Sequence, residues 1–196
     1  MKYTKKEVKD LIFAWLLISI AFAVLFSGGG KNIIKINFLV VFAISALTAG
    51  IGFLFHELMH KYVAQKYRLY AEFQAFYKML FLAILFSFFG FIFAAPGAVM
   101  IRGYITKERN GRISLAGPLT NIILSLAFLI PLLIFDFSVF FEMFFDLGFK
   151  INALLALFNM IPVMPFDGGK VFIWDKKVYW ITVLVAGGLF ILSFFI

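Results

Sequence analysis

Phe55-His56-Glu57-Leu58-Met59-His60-Lys61 closes a long apolar run and reads H-E-x-x-H. On a helix the two histidines stand one turn apart and face the same way, so both imidazoles can bind one metal ion. Glu57 beside them can hold and deprotonate a water. The chain has two histidines, and both are here. A histidine pair in hydrolytic spacing, set in an apolar segment, is the reading that the remaining sequence has to fit.

The chain has 196 residues, 64% hydrophobic and only 14% charged. Usage so far from that of soluble proteins predicts an all-α polytopic membrane protein with one membrane domain over 1–196. With no cysteine, disulfides and thiolate metal sites are excluded. The formal charge of +8 fits basic residues collected in short cytoplasmic loops, so the expected partner surface is the lipid bilayer and not nucleic acid.

Lys2, Lys5, Lys6 and Lys9 precede the apolar run Leu11 to Phe26, which reads as a retained first transmembrane helix within 1–30. Gly28 to Asn37 is expected as a short loop. Phe38 to about Tyr67 reads as one long helix capped by Asn37. At about 1.5 Å per residue, His56 lies roughly 28 Å along it and His60 roughly 34 Å. That is the far end of a hydrocarbon core about 30 Å thick. Lys61, Lys66 and Arg68 mark this end as the basic side.

Arg68 to Lys78 is mixed and interfacial in character. Met79 to Met100 is apolar enough to span, but Gly90, Pro96 and Gly97 interrupt it and basic residues flank both ends. A single crossing would put one cluster on the wrong side. A membrane re-entrant segment is therefore expected, helical over 79–90 and extended, β-like, over 91–105. Ile113 to Phe135 is the next span, followed by an acidic, aromatic connection with Asp136, Glu142 and Asp146. Phe149 to Met160 returns as a helix and breaks at Asn159 to Gly169, which contains Pro162 and Pro165. Lys170 to Lys177 reads as a short basic loop and 178–196 as the last transmembrane helix. About five transmembrane helices result, with a catalytic core over 38–170. All Lys and Arg except Lys31, Lys35 and Lys150 then fall on the amino-terminal side. This asymmetry predicts a multi-pass protein of the cell membrane, its amino terminus and metal-motif end towards the cytoplasm.

Two histidines do not complete a catalytic zinc site, which usually takes three protein ligands and leaves one position open. With no third histidine and no cysteine, the third must be a carboxylate or an amide oxygen, and the chain has ten acids. Most of these lie in loops or termini; Glu57 and Asp167 alone combine an apolar span with the correct side. Glu57 is the natural base, so Asp167 is the ligand by elimination. Gly168 and Gly169 let backbone pass close to a metal there. Asn121, one turn into its helix, can donate to an oxyanion or orient substrate, or simply bond another helix.

His56 to His60, Gly117-Pro118-Leu119-Thr120-Asn121, and Asn159 through Pro162, Pro165 and Asp167-Gly168 resemble the signature set of the site-2 protease family of zinc intramembrane metalloproteases. The resemblance covers roughly 38–170. It implies one Zn2+ per chain held by His56, His60 and Asp167, with Glu57 as general base. It further implies a role for Asn121 near the scissile carbonyl and a membrane-inserted β-like element before Gly117. The substrate it implies is a transmembrane segment of another protein, unwound locally and paired with the re-entrant strand. No stretch here has the length and polarity of the PDZ or CBS domains that many members carry. The rival reading is a metal-binding membrane protein without hydrolysis, either a carrier or an inactive regulatory relative. A carrier should show polar residues at mid-membrane across repeats, and would not need Glu57. A structural assembly subunit would bind no metal.

Overall fold

The computed structural model describes residues 1–29, 37–92 and 96–196. Most of the loop expected over 28–37 lies outside these residues, as do Lys31, Lys35 and positions 93–95 of the extended stretch. Among the described residues the chain is mainly helical and forms two compact units, 1–54 with 72–100 and 55–71 with 101–196. Three helical stretches are long and apolar enough to cross a membrane: Lys5–Phe26, Phe38–Lys66 and Lys107–Ile134. They mark a membrane protein.

In the first unit, helix α1 (Lys5–Phe26) begins at Thr4, whose side chain accepts from Glu7 N. The helix thus starts earlier than the apolar run does, and it brings Glu7 and Asp10 inside, 1% and 5% exposed. Both carboxylates serve strand β1 (Tyr70–Ala75): Phe73 N donates to Glu7 Oε1 at 2.9 Å and Ala75 N to Asp10 Oδ2 at 3.3 Å. Asp10 Oδ1 also accepts from the Tyr77 hydroxyl at 2.6 Å. That bond first, then burial and the carboxylate charge, raises the Tyr77 phenol above its ordinary pKa. Buried polar backbone at an edge strand needs such partners.

Strand β1 pairs with β2 (Gly97–Arg102) in a two-stranded sheet. Phe76 N donates to Pro96 O beyond one end, and Arg102 lies over the Tyr70 ring at the other, so the strands run antiparallel. Between them helix α4 (Tyr77–Ser87) packs on α1. Its 11 residues make about 17 Å of helix, too short to cross alone. The expected helix-then-strand order of this segment is present. The sequence reading missed β1, although Ala71 to Ala75 alternates apolar and polar residues and Ala71 and Phe73 are buried.

The long motif helix is α2 (Phe38–Ser45), a π-helical turn (Ala46–Gly50) and α3 (Ile51–Lys66) in continuous succession. Asn37 sits at the cap position, but its side chain makes no capping bond. The π turn widens the helix, and the Ala46 carbonyl accepts both from Ile51 N and from the Trp15 indole of α1, at 3.0 Å. A β-carbon on Gly50 would stand 2.5 Å from Ser19 Oγ and 2.8 Å from Trp15 Nε1. Only glycine permits that approach.

The second unit contains α5 (Lys107–Ile134), α6 (Val139–Asn159), α7 (Asp167–Trp174) and α8 (Lys176–Leu192). Helix α5 starts six residues before the expected span, because Thr106 Oγ1 accepts from Arg109 N. Pro118 and Pro131 lie inside it. Helix α6 starts ten residues early and absorbs the acidic connection: Lys150 pairs with Asp146 one turn away at 2.7 Å. The expected basic loop after Lys170 is instead α7, and Asp175 caps α8 by accepting from Lys177 N and Val178 N. By length and composition α6 and α8 are not among the three candidate spans.

Small residues let these helices approach, as they do in lipid, where burying apolar surface gives no drive to associate. Ile122, Ala156 and Ala186 form one contact and Leu129, Phe149 and Ala153 the next. Gly148 receives the Phe128 ring against its α-carbon. Large apolar side chains on the outside, Ile123, Leu133 and Ile134 on α5 and Ile181 and Leu184 on α8, are suited to lipid.

Two glycines predict opposite outcomes in detergent melting. Gly50→Leu forces a side chain into Trp15 and Ser19 and should cost about 1–3 kcal/mol. Gly188→Ala, in α8 with nothing within 4 Å of the added carbon, should be neutral or gain up to about 1 kcal/mol of helix propensity.

Candidate metal centre

The HExxH helix, α5 and the start of α7 bring three donors together. His60 Nε2 is 3.0 Å from His56 Nε2, and Asp167 Oδ2 is 3.3 Å from the first histidine's Nε2 (His56) and 3.0 Å from the second's. Donors placed about 2.0–2.2 Å from one tetrahedral ion stand about 3.3–3.6 Å apart, so these separations agree to within a few tenths of an ångström. All three residues are buried, each between 5% and 8% exposed.

The outer side of each imidazole is held. His60 Nδ1 lies 2.8 Å from the Ile113 carbonyl, which can only accept, so the proton is on Nδ1 and the Nε2 lone pair faces inward. His56 Nδ1 lies 2.6 Å from Asn121 Oδ1. Two inward lone pairs and a carboxylate oxygen within 3.3 Å of one another repel unless a proton or a metal ion lies among them. Histidines anchored through the second nitrogen are the usual arrangement around a bound metal.

Asp167 reaches the pair because α7 begins with it, after the turn that ends α6. Gly168 makes this possible: a β-carbon there would collide with the Met160 and Ile161 backbone. The second oxygen of Asp167, Oδ1, faces Lys170 Nζ at 3.4 Å.

Glu57 follows His56 on the helix and is buried, 8% exposed. Asn121 is fully buried; its amide oxygen is on His56, and its amide nitrogen donates to Asn152 Oδ1 at 3.0 Å. Lys61, taken from the sequence as a marker of the basic interface, is only 1% exposed and belongs to the interior.

Two contributors were missed from sequence, and a third, Gly117, was read as part of a motif without a role of its own. The Ile113 carbonyl is a backbone atom and has no residue-type signal. Asn152 is a lone amide in an apolar helix, a pattern that could have flagged it. Gly117 is the third: its β-carbon would lie 2.5 Å from His60 Nε2 and 2.6 Å from His56 Nε2, in the space the donors enclose. A metal fits there because that position has no side chain.

Purified protein should carry one zinc per chain by elemental analysis, and His56→Ala, His60→Ala or Asp167→Ala should each remove it. Gly117→Ala should reduce zinc loading as well, though every ligand is retained. Full loading of that variant would show that the ion lies elsewhere.

No protein-family model and no solved structure matches the chain. Curated relatives do. A Methanocaldococcus jannaschii protein named as a zinc metalloprotease is 42% identical over 91% of this chain and 89% of its own length. A second zinc metalloprotease of that organism is 32% identical over 67% of this chain but only 34% of its own length. A Bacillus subtilis protein, also named as a zinc metalloprotease, is 31% identical over 64% of this chain and 65% of its own. Zinc is thus the metal indicated for the His56, His60 and Asp167 cluster. The near full-length match and the cluster agree: the chain belongs to a family of zinc metalloproteases.

Proposed function

We propose that this protein is an intramembrane endopeptidase of the site-2 protease kind, cutting a peptide bond within or near a transmembrane segment of another membrane protein. One observation carries the reading. The two histidines and Glu57 lie on Phe38–Lys66, a helix long and apolar enough to cross a membrane, and a buried aspartate meets the histidines there. A hydrolytic motif in that setting has a substrate within reach only if the substrate is also in the membrane.

Zinc held by His56, His60 and Asp167 supplies a Lewis acid that polarises the scissile carbonyl and acidifies water. Glu57 is the general base: it takes the proton of the attacking water and delivers it to the leaving amine nitrogen. Asn121 contributes to the site through its bond to His56. The Ile113 carbonyl and Asn121 fix the Nδ1 proton of each imidazole and aim its Nε2 inward while charge develops. A helical substrate must unwind first, because its own hydrogen bonds shelter the bond to be cut. The β1–β2 sheet offers the strand geometry with which an unwound segment can pair. Cleavage on the cytoplasmic side follows from the distribution of Lys and Arg.

The test is cleavage of a single-span model substrate by detergent-purified protein. Glu57→Gln should lower the rate by at least about 10²–10⁴-fold, the usual worth of a general base, and leave zinc content unchanged. A zinc chelator should abolish cleavage. Wild-type rates in Glu57→Gln would overturn the assignment of the base. A zinc-loaded wild type that cuts neither the membrane substrate nor soluble peptides would favour the non-hydrolytic reading.

A further inference from the structure

We propose that Asn152 on α6 is a positioning residue for the metal ligand His56, acting through Asn121. The inference rests on the reading of His56 as a ligand and adds a residue from another helix to the machinery that prepares it.

The chain of bonds is anchored on an atom with one possible role. Asn152 Nδ2 donates to the Gly148 carbonyl at 2.8 Å, and a carbonyl cannot donate in return. The other end of the Asn152 amide, its Oδ1, therefore faces Asn121 and can only accept. Asn121 must present its nitrogen to it, as the 3.0 Å contact shows. That leaves Asn121 Oδ1 against His56 Nδ1 at 2.6 Å, so the histidine must donate from Nδ1. One arrangement of protons satisfies all three bonds, and it is the one that exposes the Nε2 lone pair towards His60 and Asp167. Without Asn152, the Asn121 amide can turn over. Its nitrogen would then face His56, favouring the proton on Nε2 and blocking the metal position.

Burial makes the effect strong. Asn121 and Asn152 are both 0% exposed, so bulk water is not there to replace a lost partner. Gly148 is shaped for the same contact, since the Phe128 ring packs against its α-carbon and keeps α5 and α6 close at this level. Ser125 Oγ bonds the Phe149 carbonyl one turn further along the same pair of helices, at 3.2 Å.

Asn152→Leu and Asn152→Asp separate positioning from packing. Leucine keeps the volume and removes both bonds. Aspartic acid in its neutral form keeps both: its hydroxyl donates to Gly148 O and its carbonyl accepts from Asn121. The measurements are zinc affinity by chelator competition and the visible spectrum of the Co2+-substituted protein. Wild type and His56→Ala serve as references. Asn152→Leu should bind zinc about 10–100-fold more weakly, the usual cost of losing a partner that orients a ligand, and should show altered Co2+ bands. Asn152→Asp should stay within about 3-fold of wild type with an unaltered spectrum. Wild-type affinity and bands in Asn152→Leu would overturn the proposal, as would equal losses in both variants. If Asn152→Leu does not fold, Asn152→Asp carries the test alone, and a tenfold loss there refutes it. Zinc retained by His56→Ala would instead defeat the underlying assignment of His56, a result distinguishable from either.

Discussion

Two imidazole nitrogens and a carboxylate oxygen, aimed at one another across about 3 Å in a buried place, need a proton or a metal ion among them. Much of the surrounding structure follows from maintaining that arrangement. Each imidazole is fixed from behind, one by a backbone carbonyl and one by an amide. The volume between the donors is kept open by Gly117. The carboxylate arrives on the first turn of a separate helix, through a glycine that only close backbone contact explains. In an apolar chain these polar groups are costly, and nearly every one has a partner that also sets its direction.

What could be read beforehand follows from how each feature is encoded. HExxH is local: five residues on one helix specify both the spacing and the face. The third member of the cluster was legible through scarcity, since a chain with two histidines and no cysteine has few remaining donors for zinc. The long motif helix was legible from its apolar length. The π turn inside it was not, because it reflects a contact with Trp15, distant in sequence. Helix α6 was read too short, since acidic residues in an aromatic stretch resemble a connection until the Asp146–Lys150 pair is seen along one helix face. Strand β1 was missed because its alternating stretch, Ala71 to Ala75, is short. Its hydrogen-bonding partners include carboxylates more than sixty positions earlier.

The acids of α1 show how misleading local context can be. Glu7 and Asp10 stand among lysines at the head of an apolar run, which reads as a solvated flank. In the fold they are buried and accept from the backbone of a strand that, among the described residues, has no neighbouring strand on that side. A carboxylate is a stronger acceptor than a neutral group and can satisfy an isolated N–H where water is scarce. Conventional amphipathic patterning cannot reveal this, because the partner is backbone and leaves no trace in residue type.

Asn121 poses the same problem at the centre of the site. An asparagine beside a metal motif invites a role towards substrate, and its position in sequence permits one. The structure turns the question to which end of the amide faces the histidine, and a helix more than thirty residues away decides it through Asn152. A side chain with two different ends carries information only when something else fixes its orientation. Here a backbone carbonyl does so, and the direction it sets passes through two amides to the ring that would bind the metal.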